Sequence, residues 1–189
     1  MKLTREPEAV TQPVTRVIPA EPRLPALKTL GDLADLEPVV IVDTREQTPL
    51  PFSTLKNRPG TLTTGDYSFA GGQDTFAVER KSISDLVGCC MGDNRDRFER
   101  ELHRLRGFWF KRLLIVGRRE EIEAGEYRSA IRPASVLGTL AAFEVRYEVP
   151  VVFIADPETA GKRVEEWIYW SARELVERVN RIKRESRQG

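Results

Sequence analysis

Three short runs of uninterrupted apolar residues limit the folds open to this chain: Val39–Val42, Leu113–Val116 and Val151–Ile154. A strand that is apolar at every position, rather than at every second one, has to be covered on both faces. The segments around these runs have helical spacing. Residues 95–110 place Phe98, Leu102 and Leu105 on one side. Pro133 suits a first helical position and opens a stripe of Val136, Leu137, Leu140 and Val145. Asp156 and Pro157 read as a cap and first turn before Ala160, Val164, Trp167, Ile168, Ser171 and Leu175. Strands alternating with helices give an α/β class, a central mixed β-sheet flanked by helices.

The rest of the chain is punctuated by turn and cap residues. Pro49, Pro51, Pro59 and Gly60 mark an irregular connection after the first strand. Thr61–Thr64 is β-prone, and Gly71-Gly72-Gln73-Asp74 is a turn. Two antiparallel strands are expected around that turn, the second over residues 75–81. Ser82 then caps a helix whose stripe is Ile83, Leu86 and Val87. Residues 118–132 read as loop with a helical turn. Pro7, Pro13, Pro19, Pro22 and Pro25 make residues 1–36 an extended or disordered arm. Leu24, Leu27, Leu30 and Leu33 at its end suit a short amphipathic turn. One domain is expected over residues 37–178, with a frayed basic tail over 179–189.

The chain has 189 residues, 40% hydrophobic and 31% charged, enough for one soluble domain with a core. Its net charge of +1 means that any nucleic-acid surface must be local. The adjacent pair Cys89 and Cys90 reads as reduced thiols of a cytosolic protein, too few for a zinc site. The single histidine, His103, lies among helical charges and argues against histidine-based hydrolysis. No apolar run is long enough to span a membrane, and no secretory leader is visible.

Chemistry gathers around Phe76–Asp85. Side chains alternate along a strand, so Glu79 and Lys81 share a face and Arg80 takes the other. A carboxylate and an ammonium on one face suit metal-assisted phosphodiester hydrolysis. Asp43 ends the first strand and Asp66 enters the next. If the sheet gathers Asp43, Asp66 and Glu79, their oxygens suit Mg2+ or Mn2+. Otherwise they are separate turn and cap carboxylates beside a structural ion pair.

Gly65-Asp66 followed by Glu79-Arg80-Lys81, then Asp85, resembles the signature of the XPF/Hef/Mus-type structure-specific endonucleases. Val42-Asp43-Thr44-Arg45-Glu46 resembles the strand motif before it. The resemblance spans residues 38–176 and concerns the nuclease domain only. It implies a restriction-endonuclease-like core and a divalent-metal-dependent DNA endonuclease. The DNA would be branched, flapped or forked, in repair, recombination or phage DNA processing. The alternative is a catalytically silent nuclease-fold scaffold that binds DNA or a catalytic partner. Carried over by position, Asp43, Asp66, Glu79 and Lys81 are the catalytic set. Asp66 and Glu79 are the main metal ligands for Mg2+ or Mn2+, with the Arg80 carbonyl contributing; Asp43 is a third ligand or a base just behind them, and Lys81 positions the attacking water. Arg45 and Glu46 border the site, and Arg80 and Asp85 form a supporting ion pair. Arg95 and Arg97, at a helix start after the site, are candidates for DNA phosphate contacts, with a solvated arginine face as the equal alternative. Paired helix-hairpin-helix motifs and a helicase, common in the family, have no counterpart in these residues. A homodimer, or a heteromer with a DNA-binding partner, is therefore expected. The helix near 133–147, for which core packing is the equal alternative, and Tyr169 are the candidate contacts. The expected location is cytoplasmic, nucleoid-associated in a prokaryote.

Overall fold

Residues 36–187 are described by the structure, a computed structural model. The expected N-terminal arm and its leucine turn lie outside the described residues, apart from Leu36. Six strands form one mixed sheet: β1 (Val40–Asp43), β2 (Asn57–Gly60), β3 (Tyr67–Phe69), β4 (Phe76–Ser82), β5 (Phe110–Val116) and β6 (Val151–Ile154). Their order across the sheet is β2-β1-β3-β4-β5-β6. The β1–β3 and β3–β4 pairs are antiparallel; β1–β2, β4–β5 and β5–β6 are parallel. The helices are α1 (Ile83–Gly88), α2 (Gly92–Leu105), α3 (Arg119–Glu123), α4 (Pro133–Tyr147) and α5 (Pro157–Glu185).

Alternation along β4 divides the interior in two. Ala77 joins Leu113 and Ile115 under α1 to α4, with Leu86, Phe98, Leu102, Ile122 and Phe143. Phe76 and Val78 face the other way, with Val40, Tyr67 and Leu114 under Ala160, Val164 and Ile168 of α5. By the same period, Glu79 and Lys81 lie on the α1–α4 face and Arg80 on the α5 face.

Several local readings hold. Ser82 caps α1 by accepting the Asp85 N–H at 3.1 Å, and Asp156 caps α5 by accepting the Thr159 N–H at 2.8 Å. Pro133 opens α4. Four boundaries differ. The strand before the 71–74 turn is Tyr67–Phe69, not Thr61–Thr64, because the Leu62 N–H is taken by the Asp43 carboxylate. β2 carries Pro59 and is a sheet edge, where a missing N–H costs no ladder bond. α2 begins at Gly92 and ends at Leu105, which frees Phe110 to start β5. α5 runs on to Glu185 where a frayed tail was expected after Arg178. The pairs Arg173–Glu177 and Arg178–Glu174, four residues apart, support its later turns. On α4, Val145 is 83% exposed, and Phe143 and Tyr147 fill the core instead.

The irregular connection from Thr44 to Lys56 is tied to α5. Glu165, itself buried, accepts the N–H groups of Thr54 and Leu55 at 2.7 and 2.8 Å. Gly161 lets the α5 backbone approach Pro51, whose carbonyl oxygen lies 2.0 Å from where a Cβ would stand. Leu50 donates its N–H to the Tyr67 hydroxyl at 3.0 Å.

Candidate active site

β4 leaves the core in the order Val78, Glu79, Arg80, Lys81, from fully buried to half-buried. Glu79 is 6% exposed and its Oε1 accepts a close hydrogen bond from Lys81 Nζ. The shared face expected for this pair is therefore present. Asp66 is fixed against the same strand from outside. Its N–H donates to the Val78 carbonyl at 2.8 Å, and its Oδ2 accepts the Arg80 N–H at 2.7 Å. Gly65 makes this approach possible. Its φ is +80°, and a Cβ there would stand 3.1 Å from the Val78 oxygen.

Asp66, Glu79 and Lys81 thus form one electrostatic unit. Burial, followed by the charge of Glu79, pushes the Asp66 carboxyl up to about 8. Burial also raises Glu79, against the pull of Lys81. Burial disfavours the Lys81 ammonium, but Glu79, Asp66 and Glu101 more than offset it and hold its pKa above the usual lysine value. An open cavity of about 490 Å³ lies over Asp66 and Lys81, bordered also by Arg45, Arg80, Arg97 and Glu101.

Asp43 is not part of this unit. Its buried carboxylate accepts from Arg45 N at 2.9 Å, Arg45 Nε at 2.7 Å, Arg45 Nη2 at 3.2 Å and Leu62 N at 2.7 Å. Burial alone would raise its pKa; the Arg45 and Leu62 donors outweigh that and lower it. Among the described residues, no three His, Cys, Asp or Glu side chains come together closely enough to hold a metal ion. Asp43 lies beside Asp66, its N–H donating to the Asp66 carbonyl at 2.8 Å, but its carboxylate oxygens are taken by Arg45 and Leu62 on the loop that follows β1.

The expected Arg80–Asp85 pair is also replaced. Arg80 Nη1 donates to Thr48 Oγ1 at 2.8 Å and stands 3.5 Å from Glu46 Oε1. Asp85 Oδ2 instead accepts the Ser82 hydroxyl at 2.7 Å. Strand alternation turns Arg80 toward the Thr44–Lys56 connection, whereas Asp85 lies in the first turn of α1 and folds back onto its cap, Ser82. Of the two arginines assigned to phosphate, Arg97 borders the cavity and is 75% exposed. Arg95 folds back onto Glu99 at 2.9 Å and over the Phe143 ring. Glu101 went unnoticed in the sequence. Its Oε2 lies 3.8 Å from Lys81 Nζ, and its only sequence signal is an i, i+4 relation to Arg97.

A family model described as the ERCC4 domain matches residues 42–164, from the end of β1 into α5. The chain belongs to the ERCC4 domain family. The ERCC4 match spans Asp66, Glu79, Lys81 and Glu101 together. Among solved structures, the chain is similar to XPF from Aeropyrum pernix, at 24% identity and a TM-score of 0.57. That match covers 71% of this chain and 61% of that one. It is also similar to XPF from Aeropyrum pernix in complex with DNA, at 23% identity and a TM-score of 0.54, covering 72% and 66% respectively. The chain thus spans less than two thirds of either solved chain. No curated protein matches it. Family and fold agree: the chain carries an ERCC4 domain whose mixed six-stranded sheet is built like that of XPF from Aeropyrum pernix. No described helix is long and apolar enough to cross a membrane.

Proposed function

We propose that this ERCC4 domain is a divalent-metal-dependent endonuclease that hydrolyses phosphodiester bonds in branched, flapped or forked DNA. The observation that carries the proposal is the Glu79–Lys81 contact on one strand face, with Asp66 beside it under an open polar cavity.

The donor set fits magnesium or manganese. These ions keep several waters and need only one or two carboxylates. Asp66 and Glu79 supply hard oxygen donors, and the rise of Asp66 to about 8 comes first from burial and then from the charge of Glu79, which a cation would relieve. Asp66 and Glu79 would hold the ion, which would lower the pKa of bound water and draw charge from the phosphate.

The chain's own groups account for the remaining requirements. Lys81 carries three N–H donors and no acceptor, so it orients the attacking water by its oxygen and stabilises charge growing on the phosphate. The water oxygen bonds to phosphorus and its proton passes to solvent, while the phosphorus–oxygen bond on the far side breaks and the leaving sugar oxygen takes a proton from solvent. Arg97 at the rim suits a phosphate along the strand. Arg80, held by Thr48 and Glu46, braces the Thr44–Lys56 connection against β4.

A net charge of +1 gives little general attraction to DNA. A second subunit, either another copy or a DNA-binding protein, would supply further contacts. The exposed Tyr169 and Trp170 of α5 and the exposed side of α4 at Val145 are candidate surfaces for it.

A panel of labelled flaps, forks and nicked duplexes with manganese tests the function. The wild-type chain should cut branched DNA, and Glu79→Ala or Lys81→Ala should lower the rate by about 10²-fold or more. Calorimetry should show manganese binding that disappears in Asp66→Ala. Manganese binding without cleavage of any junction would leave a scaffold in place of an enzyme.

A further inference from the structure

We propose that Glu101 is a positioning residue for Lys81, an inference that rests on the hydrolytic reading and adds α2 to the site. Lys81 Nζ has two acidic neighbours. One is Glu79, its partner on β4. The other is Glu101 of α2, whose Oε2 lies 3.8 Å away. Arg97, one helical turn earlier, stands 3.6 Å from Glu101 Oε1 and steadies it from behind. The Phe98 ring, on the same helix, lies 5.2 Å from Lys81 Nζ. α2 therefore presents a carboxylate, an aromatic face and a supporting guanidinium to one ammonium.

The two anchors differ in what else they can do. Glu79 is 6% exposed and sits beside Asp66, so its oxygens are the ones that a cation would compete for. Glu101 borders the open cavity, and its salt-bridge partners are Lys81 and Arg97. A lysine with four flexible methylenes and one anchor would lose its place whenever that anchor turned elsewhere. Glu101 keeps Nζ over the cavity whichever partner Glu79 takes.

The test begins without metal, DNA or turnover. The full chain is labelled with ¹³C in its lysines, and the order of the Lys81 Cε methylene is measured, with Lys81→Arg used to assign the signal. In Glu79→Gln the Lys81 methylene should stay near its wild-type order, held by Glu101. In Glu79→Gln/Glu101→Gln it should fall to the level of exposed lysines. Full loss of order in Glu79→Gln alone, or retained order in the double variant, overturns the proposal. The single Glu101→Gln chain, which disturbs the fold less, gives a second measure. On labelled flap DNA its kcat should fall about tenfold with KM unchanged, and its manganese affinity should equal wild type. An unchanged kcat, or a lowered kcat with lost manganese affinity, counts against it. A wild-type chain inert on every junction would defeat the hydrolytic reading alone, and the methylene measurement would still decide Glu101.

Discussion

Arg80 Nη1 stands 3.5 Å from Glu46 Oε1, bridging 34 residues of sequence, while Asp85 turns to Ser82. The guanidinium thus braces the connection after β1 against β4, and the helix after β4 is left out. Glu46→Gln should loosen that brace and lower kcat about tenfold, as loss of an outer partner does. Asp85→Asn should weaken the start of α1 and leave the cleavage rate near wild type. Steady-state kinetics on one flap substrate compares the two; a larger loss in Asp85→Asn would reverse the assignment.

The Asp66 carboxyl binds its proton more tightly in the folded chain than at its ordinary value of 3.8, with a folded value of about 8. The folded state therefore holds the extra proton between those values. Stability from this source is complete below about 4 and is lost as pH climbs to about 8. Glu79, also raised, acts in the same direction. Metal-free protein should melt at progressively lower temperature as pH rises through that window, and Asp66→Asn should flatten the slope. Cation binding has to displace the same proton, so manganese affinity should rise toward pH 8. Calorimetry in buffers of different ionisation heat should show proton release below it.

Asp43 acts through the loop that it ties. Its carboxylate takes four hydrogen bonds, one from the Leu62 backbone, while 2% exposed. Asp43→Ala should cost about 3 kcal/mol, since a buried donor loses a charged acceptor. Urea denaturation measures this directly. Manganese affinity should change far less than in Asp66→Ala. Collapsed affinity at unchanged stability would return Asp43 to the ligand set.

Three strands were legible because β1, the second half of β5 and β6 are apolar at every position, and a pattern of that kind leaves few other folds. Ser82, Pro133 and Asp156 marked helix starts through local chemistry that needs no tertiary context. β2 was not legible. Asn57-Arg58-Pro59-Gly60 has no strand-forming side chain and is held by its backbone at an edge. In the site, spacing alone placed Glu79 beside Lys81, since two residues along a strand always share a face. Spacing could not show that Asp43 would turn to Arg45 and Leu62, nor that Glu101 would arrive from α2. Those contacts depend on how the 44–66 segment and α2 fold over the strand ends. The Arg80–Asp85 pair failed for a reason that the sequence did contain: alternation had already put Arg80 on the far face.

Gly161 is a point of close approach between α5 and the Thr44–Lys56 connection. An alanine there would set its Cβ 2.0 Å from the Pro51 carbonyl oxygen, a backbone atom that cannot swing aside. Gly161→Ala should destabilise the protein by about 3 kcal/mol despite the better helix propensity of alanine. Thermal denaturation tests this; an unchanged or raised melting temperature would mean that the segment moves freely against the helix.

That segment has no regular secondary structure, yet it is gripped along its length. Glu46 and Thr48 reach Arg80, Leu50 hydrogen-bonds Tyr67, Pro51 rests on Gly161, and Thr54 and Leu55 hang from Glu165. Its backbone amides at Leu50, Thr54 and Leu55 should exchange with solvent as slowly as those of the neighbouring strands. A protease should find no early nick there. What reads as a proline-broken tether thus behaves as a fitted strap, opening only when the domain itself comes apart.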